Sequence, residues 1–212
     1  MNKKTIINTM WMCSEKSITI VGFFLVTAYV VKYLGPSMVG QLAYIFSIYQ
    51  IVQVVAKWGG ESVIFRRTTR NPVSGCRCLQ SSGTIRMGIL FLLAIPIELF
   101  FYFTHDTTFF VLSLAIATGT LFNILDVYAI FYNAKLMSKY NTIINSYGLI
   151  TSLLLRALIA ALAWHPIWLT LPIVINTGLP LFLRRKKYNT YHSVKIKKKV
   201  ITKNTFSIAV NT

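Results

Sequence analysis

Residues 109–132 read FFVLSLAIATGTLFNILDVYAIFY and contain one charged side chain, that of Asp126. A helix needs roughly 17–25 predominantly apolar residues to cross the hydrocarbon core of a bilayer, and this stretch is long enough. Five further stretches have the same length and character, at residues 18–34, 40–56, 87–103, 143–164 and 167–183. The sequence therefore predicts an all-α, polytopic membrane protein with six transmembrane helices.

The segments that flank these stretches differ sharply in charge. If all six stretches cross the membrane, one side collects nearly all the flanking Lys and Arg residues, and the other receives Lys32 alone. Cytoplasmic loops carry an excess of basic residues, so we expect both termini to be cytoplasmic. A cytoplasmic lead-in helix then occupies residues 1–17, the six-helix lobe residues 18–183, and a basic cytoplasmic tail residues 184–212. The apolar end of that tail resembles the truncated start of a seventh helix.

Several functional classes are disfavoured by the same pattern. The net charge of +17 does not indicate a nucleic-acid partner, because membrane topology and anionic lipid headgroups account for the basic loops. The sequence has no nucleophile elbow, zinc-protease motif or phosphate-binding loop. Its three cysteines lack the further ligands that a zinc site requires. We therefore expect no enzymatic activity, no cofactor and no metal site.

Polar residues inside the predicted spans are the candidate functional groups. An ionisable residue there costs roughly 2.5–3.5 kcal/mol, so it usually faces protein or water. Asp126 lies about 9 Å from the inner end of its helix and Arg156 about 20 Å from its own, which favours separate roles over a direct pair. Arg156 suits a cationic cavity for an anionic substrate, or it stabilises the bundle. Asp126, Asn123 and Glu15 complete the candidate substrate-binding set, with interhelical bonding as the alternative role.

A tight outer turn is predicted at residues 33–37, and it is one of several short motifs that occur in a fixed order in the first part of the chain. These motifs are Asn8-Thr9-Met10-Trp11, Glu15-Lys16, Tyr33-Leu34-Gly35-Pro36 with Gly40, Trp58-Gly59-Gly60-Glu61, and Val63 through Arg67 with Pro72. Together they resemble the first half of the O-antigen and polysaccharide flippases, in the multidrug/oligosaccharidyl-lipid/polysaccharide exporter superfamily. The resemblance covers roughly residues 5–185 and is most specific over residues 8–72.

This resemblance implies one lobe of a MATE-like flippase fold in the bacterial inner membrane, with Arg156 in a cationic lumen. The implied activity is transport of undecaprenyl-diphosphate-linked O-antigen or polysaccharide repeat units, with membrane lipids as surroundings. Family members carry two such lobes, so a second copy or a separate half-transporter is the expected partner, unless the chain is a truncated product. The alternatives are a small-molecule-binding membrane subunit of a multi-component transporter, or a scaffold for glycan assembly enzymes.

Overall fold

The computed structural model describes residues 3–70 and 72–188, which are helical apart from short connections. The predicted all-α class is therefore confirmed, whereas the end of the basic tail lies outside the described residues. The helices are α1 (Lys3–Lys57), α2 (Gly60–Arg70), α3 (Pro72–Thr104), α4 (Thr107–Leu125), α5 (Tyr128–Ala134), α6 (Ser138–Ala161) and α7 (residues 170–188), with a 3₁₀ turn at Pro166–Leu169 before α7.

Within the described ranges, five segments are long and apolar enough to cross a membrane. Large apolar side chains also cover the outside of the bundle: Phe24, Leu92 and Phe103 are 71, 72 and 76 % exposed. Monomeric soluble proteins rarely expose apolar patches of this extent, so these faces suit contact with lipid. The five segments are Ala28–Lys57, Ser82–Thr104, Thr107–Ala134, Ser138–Ala161 and Pro166–Tyr188.

Helix α1 consists of two helical arms that meet at Gly35. Gly35 has φ 76° and ψ 163°, a backbone region that essentially glycine alone adopts. Pro36 follows it and begins the second arm with its fixed φ. We call residues 3–34 the first arm and residues 36–57 the second arm. The break falls inside the turn at residues 33–37 that the sequence predicts. We call this end of the bundle the outer end and the opposite end the inner end, after that prediction.

The first arm runs in the same direction as α6. Near its start, the Asn8 side chain accepts a hydrogen bond from the Ser138 backbone N–H, at 2.9 Å between Oδ1 and N. Near its end, the Tyr33 hydroxyl donates to the Trp164 carbonyl. The predicted first span, residues 18–34, occupies this arm, and only its residues 28–34 fall within one of the five segments above, Ala28–Lys57.

The second arm returns along α4. The Tyr44 and Phe109 rings lie 6.5 Å apart at one end, and Lys57 donates to the Asn123 side chain at the other. Helix α7 runs opposite to α6, since the Ser152 hydroxyl donates to the Pro172 carbonyl at 2.8 Å, whereas Arg184, later in α7, donates to Asn145, earlier in α6. Helix α7 also contacts α4, where the Phe122 and Phe182 rings lie 6.0 Å apart. The two arms of α1 are therefore antiparallel, and α1 is a helical hairpin.

Several predicted boundaries differ from the observed ones, among them the span 143–164, whose helix α6 runs from Ser138 to Ala161. The stretch 109–132 is not one continuous helix, because α4 ends at Leu125 and α5 begins at Tyr128, with Asp126 in the break. Helix α3 begins at Pro72, well before the predicted span 87–103. Helix α7 continues past Leu183 to Tyr188, and Arg184 is 2 % exposed instead of starting an exposed tail. Hydropathy marks the apolar part of a helix, whereas backbone hydrogen bonding carries the helix beyond that part.

Substituting Gly35 by Ala is expected to reduce the free energy of unfolding by about 1–3 kcal/mol, because alanine is strained in this backbone conformation. Gly40→Ala is the matched control, since a Cβ meets nothing within 4 Å at either site and Gly40 lacks the positive φ. Alanine in a helix is neutral or stabilising by up to about 1 kcal/mol there. Denaturant unfolding in detergent measures both variants, and equal stability would contradict a glycine-dependent hairpin.

Candidate functional site

A central cavity of about 230 Å³ lies between the second arm of α1 and helices α4, α6 and α7. Its wall is rich in polar side chains, whereas the interior of a transmembrane helix bundle is mostly apolar. Among the described residues that line it, Arg156 is the charged one. The other polar lining residues are Tyr49, Gln50, Gln53, Thr120, Asn123, Asn176 and Thr177.

Arg156 is half-buried in this wall. It lies 18 residues after Ser138, about 27 Å along α6 from the inner end of that helix. This distance exceeds the predicted one because α6 begins at Ser138 and not at residue 143. Within the described chain it makes no hydrogen bond and no ion pair. A guanidinium has five N–H donors and stays charged in proteins, so this cavity wall contains a cation whose donors have no acceptor among the described residues. The Arg156 guanidinium is therefore available to bind an anionic ligand.

On the outer side of Arg156 lies a second cavity of about 200 Å³, which we call the outer cavity. Phe46, Arg156 and Ile173 line both this cavity and the central one. Arg156 therefore marks the border between a polar compartment and an apolar one. The remaining lining residues of the outer cavity are all apolar: Val30, Val31, Leu34, Val39, Leu42, Ala43 and Leu169.

An inner cavity of about 440 Å³ lies at the opposite end of the central one. Asn123, Asn176 and Thr177 line both cavities, so the two adjoin. The further charged and amide groups around the inner cavity are Glu15, Lys16, Lys57, Glu61, Asp126, Asn133, Asn145 and Arg184.

A buried ion pair between Asp126 and Arg184 forms part of this inner wall. Asp126 is the C-cap of α4, with φ −77° and ψ 56°, so the break before α5 turns its carboxylate into the bundle. The Arg184 guanidinium also donates to the Asn145 side-chain oxygen. Since the side chains of Arg184 and Asp126 are 3 and 12 % exposed, little water competes for this pair.

The network extends from Asn145 to Glu15 on the first arm. The Asn145 amide donates to Glu15 Oε1, and the Thr142 hydroxyl lies 3.3 Å from Glu15 Oε2. One amide side chain thus joins the buried arginine to a carboxylate on a different helix. The network ties the first arm, the α4–α5 break, α6 and α7 together near the inner end of the bundle.

The structure places the predicted site residues in two groups. Arg156 and Asp126 are not paired, in keeping with the separate roles expected for them. Asn123 lines the central and inner cavities and accepts a hydrogen bond from Lys57 at 3.3 Å. Glu15 and Asp126 line the inner cavity alone, away from Arg156.

Sequence reasoning missed two polar groups. Arg184 directly follows the apolar stretch 167–183 and falls in the predicted basic tail, yet it is buried. Glu98, in the predicted span 87–103, is not among the predicted site residues. It is half-buried and accepts hydrogen bonds from the hydroxyls of Tyr49 and Ser113, at 2.5 and 2.7 Å. No local signal in the sequence reveals such partners, because they lie on other helices.

Comparison of the chain with family models, with curated proteins and with solved structures gave no match. In the part of the chain that the structure describes, no three or more His, Cys, Asp or Glu side chains are grouped as metal ligands would be. The cavities and their charges are therefore the basis for a functional conclusion.

Proposed function

We propose that this chain forms one six-helix, MATE-like lobe of a transporter that moves undecaprenyl-diphosphate-linked saccharides across the bacterial inner membrane. Arg156 is the observation that carries the proposal. A half-buried guanidinium without a protein acceptor is costly in a membrane interior unless it meets an anion or water. A diphosphate is a suitable anion, because arginine binds phosphate oxygens through two parallel hydrogen bonds.

The order of the three cavities supports a cargo with three chemically different parts. The outer cavity is apolar and suits a prenyl chain. The central cavity supplies the Arg156 cation at the point where polar and apolar walls meet. The inner cavity is polar and adjoins the central one. A prenyl chain, a diphosphate and a saccharide follow one another in the same order along a single lipid-linked molecule.

The first arm of α1 accounts for the sixth crossing in this proposal. It runs beside α6, a segment long and apolar enough to cross the membrane, and the chain reverses at Gly35 into the second arm. Six crossings would leave both termini on the basic, cytoplasmic side. Alternating access requires one lobe to rock against another, so the working transporter would include a second copy or a separate half-transporter.

Photoaffinity labelling tests the arrangement of the cargo. The probe is a geranylgeranyl diphosphate that carries a diazirine at the far end of its prenyl chain, added to the purified chain in lipid nanodiscs. We expect the label on outer-cavity residues such as Val30, Leu42 and Leu169, and we expect excess unlabelled geranylgeranyl diphosphate to displace it. Labelling spread evenly over outward-facing side chains such as Phe24 and Leu92, without displacement, would contradict the proposal.

A further inference from the structure

Acidic side chains are too few to neutralise the cations at the inner end of the bundle. The chain has 22 Lys and Arg residues and five Asp and Glu residues. Glu61 and Asp126 are already in ion pairs, and Glu15 accepts hydrogen bonds from side chains of α6. The other two acidic residues, Glu98 and Asp106, lie towards the outer end. Most cations at the inner end therefore need counter-ions from outside the chain.

Two lysines at the inner end lie against aromatic rings. Lys139 Nζ is 5.5 Å from the ring centroid of Trp11, and Lys187 Nζ is 3.4 Å from that of Tyr140. An ammonium group keeps its charge over a ring and retains N–H donors for a further partner. Both lysines are exposed, and neither forms an ion pair with a described residue. We call Trp11, Lys139, Tyr140 and Lys187 the basic–aromatic patch.

The basic–aromatic patch joins three helices. Trp11 on the first arm is fixed to α6, because its carbonyl accepts a hydrogen bond from the Thr142 hydroxyl at 3.0 Å. Lys139 and Tyr140 lie in the first turn of α6, and Lys187 lies near the end of α7. Trp and Tyr side chains are enriched where a membrane meets water, and basic pockets between transmembrane helices bind anionic headgroups. The position of the patch therefore suits a lipid phosphate.

An exposed apolar stripe on α6 begins at the patch and runs towards the outer end. Its members follow one another at intervals of three or four residues, so they share one face of the helix. The stripe is about 21 Å long, which exceeds the depth of one leaflet of the hydrocarbon core, roughly 15 Å. An acyl chain would cover this face, whereas a free phosphate would leave it uncovered. The stripe consists of Tyr140, Ile143, Tyr147, Ile150 and Leu154.

We infer that the basic–aromatic patch and the α6 stripe form a binding site for an anionic glycerophospholipid. Lys139 and Lys187 bind the headgroup phosphate, and an acyl chain lies along the stripe. A zwitterionic headgroup brings an ammonium group close to the two lysines and binds less tightly. This inference does not rest on the proposed function, because none of the residues of this site lines the central, outer or inner cavity.

Native mass spectrometry of the delipidated chain in detergent tests this site. The probes are phosphatidylglycerol and phosphatidylcholine with identical acyl chains. We expect the first phosphatidylglycerol to bind about 5- to 30-fold more tightly than phosphatidylcholine, because each lysine near an anionic headgroup contributes roughly fivefold. Inorganic phosphate should not displace the lipid, since it makes no contact with the stripe.

The double variant Lys139→Gln with Lys187→Gln is expected to lose the preference for phosphatidylglycerol. Arg66→Gln with Arg70→Gln is the matched control, because it removes the same charge from exposed side chains of α2 at the same end of the bundle. This control should keep the preference. Arg156→Gln should keep it too, which separates the lipid site from the site of the proposed function.

Equal affinity of the wild-type chain for the two lipids would overturn this inference, and so would a preference that survives the double lysine variant. Loss of the preference in either control would place the anionic lipid elsewhere on the chain and overturn the patch as its site. Displacement by inorganic phosphate would overturn the role of the stripe. A dimer that forms in place of lipid binding would assign the α6 face to a second copy of the chain.

Discussion

Replacing Arg184 by Met is expected to lower the free energy of unfolding by about 3–5 kcal/mol, which is among the largest effects of a single substitution in this chain. The substitution leaves the Asp126 carboxylate inside the bundle without its cation, and Asn145 loses a donor. Arg185→Met is the matched control, because that neighbouring side chain is exposed. Surface substitutions usually stay within about 0.5 kcal/mol.

A double-mutant cycle separates the loss of the ion pair from a general loss of packing. The double variant Asp126→Leu with Arg184→Met removes both charges and leaves an apolar contact in their place. Because such replacements are often neutral or stabilising, the double variant is expected to be more stable than Arg184→Met alone. Unfolding in detergent micelles, followed by tryptophan fluorescence, measures all four species of the cycle. Additive effects of the two substitutions would show that the pair contributes no coupling.

Composition and hydropathy predicted the helical class and most of the membrane-crossing segments, since these properties depend on local residue content. The break at Gly35 was also predictable, because a glycine followed by a proline has a local conformational meaning. The break at Asp126 was not. A hydropathy average over residues 109–132 is dominated by apolar side chains, and it does not register one carboxylate that ends α4 and faces inward.

Pairing between distant helices was the part of the site that the sequence could not provide. Arg184 and Asp126 are separated by 58 positions, and only the packing of α7 beside α4 brings them together. The position of Arg156 far from the inner end of its helix was predictable, because it depends only on the number of residues along a single helix. The lack of a protein partner for Arg156, in contrast, became visible only with the cavity around it.

Replacing Arg156 by Gln is expected to weaken binding of geranylgeranyl diphosphate by about 10- to 100-fold, as the loss of charge-assisted hydrogen bonds would. The substitution should leave the fold intact, because no described residue depends on Arg156 for a hydrogen bond or an ion pair. Arg66→Gln is the matched control, since Arg66 is an exposed arginine on α2, away from the cavities.

The dissociation constants of geranylgeranyl diphosphate and of geranylgeraniol, compared between the wild-type and Arg156→Gln chains, are the most direct measurement of this site. The alcohol has the same prenyl chain and lacks the phosphates, so its binding should not change. We expect the diphosphate to lose its advantage over the alcohol in Arg156→Gln and to keep it in Arg66→Gln. An equal preference for the diphosphate in the wild-type and Arg156→Gln chains would contradict the assignment of Arg156 as its binding site.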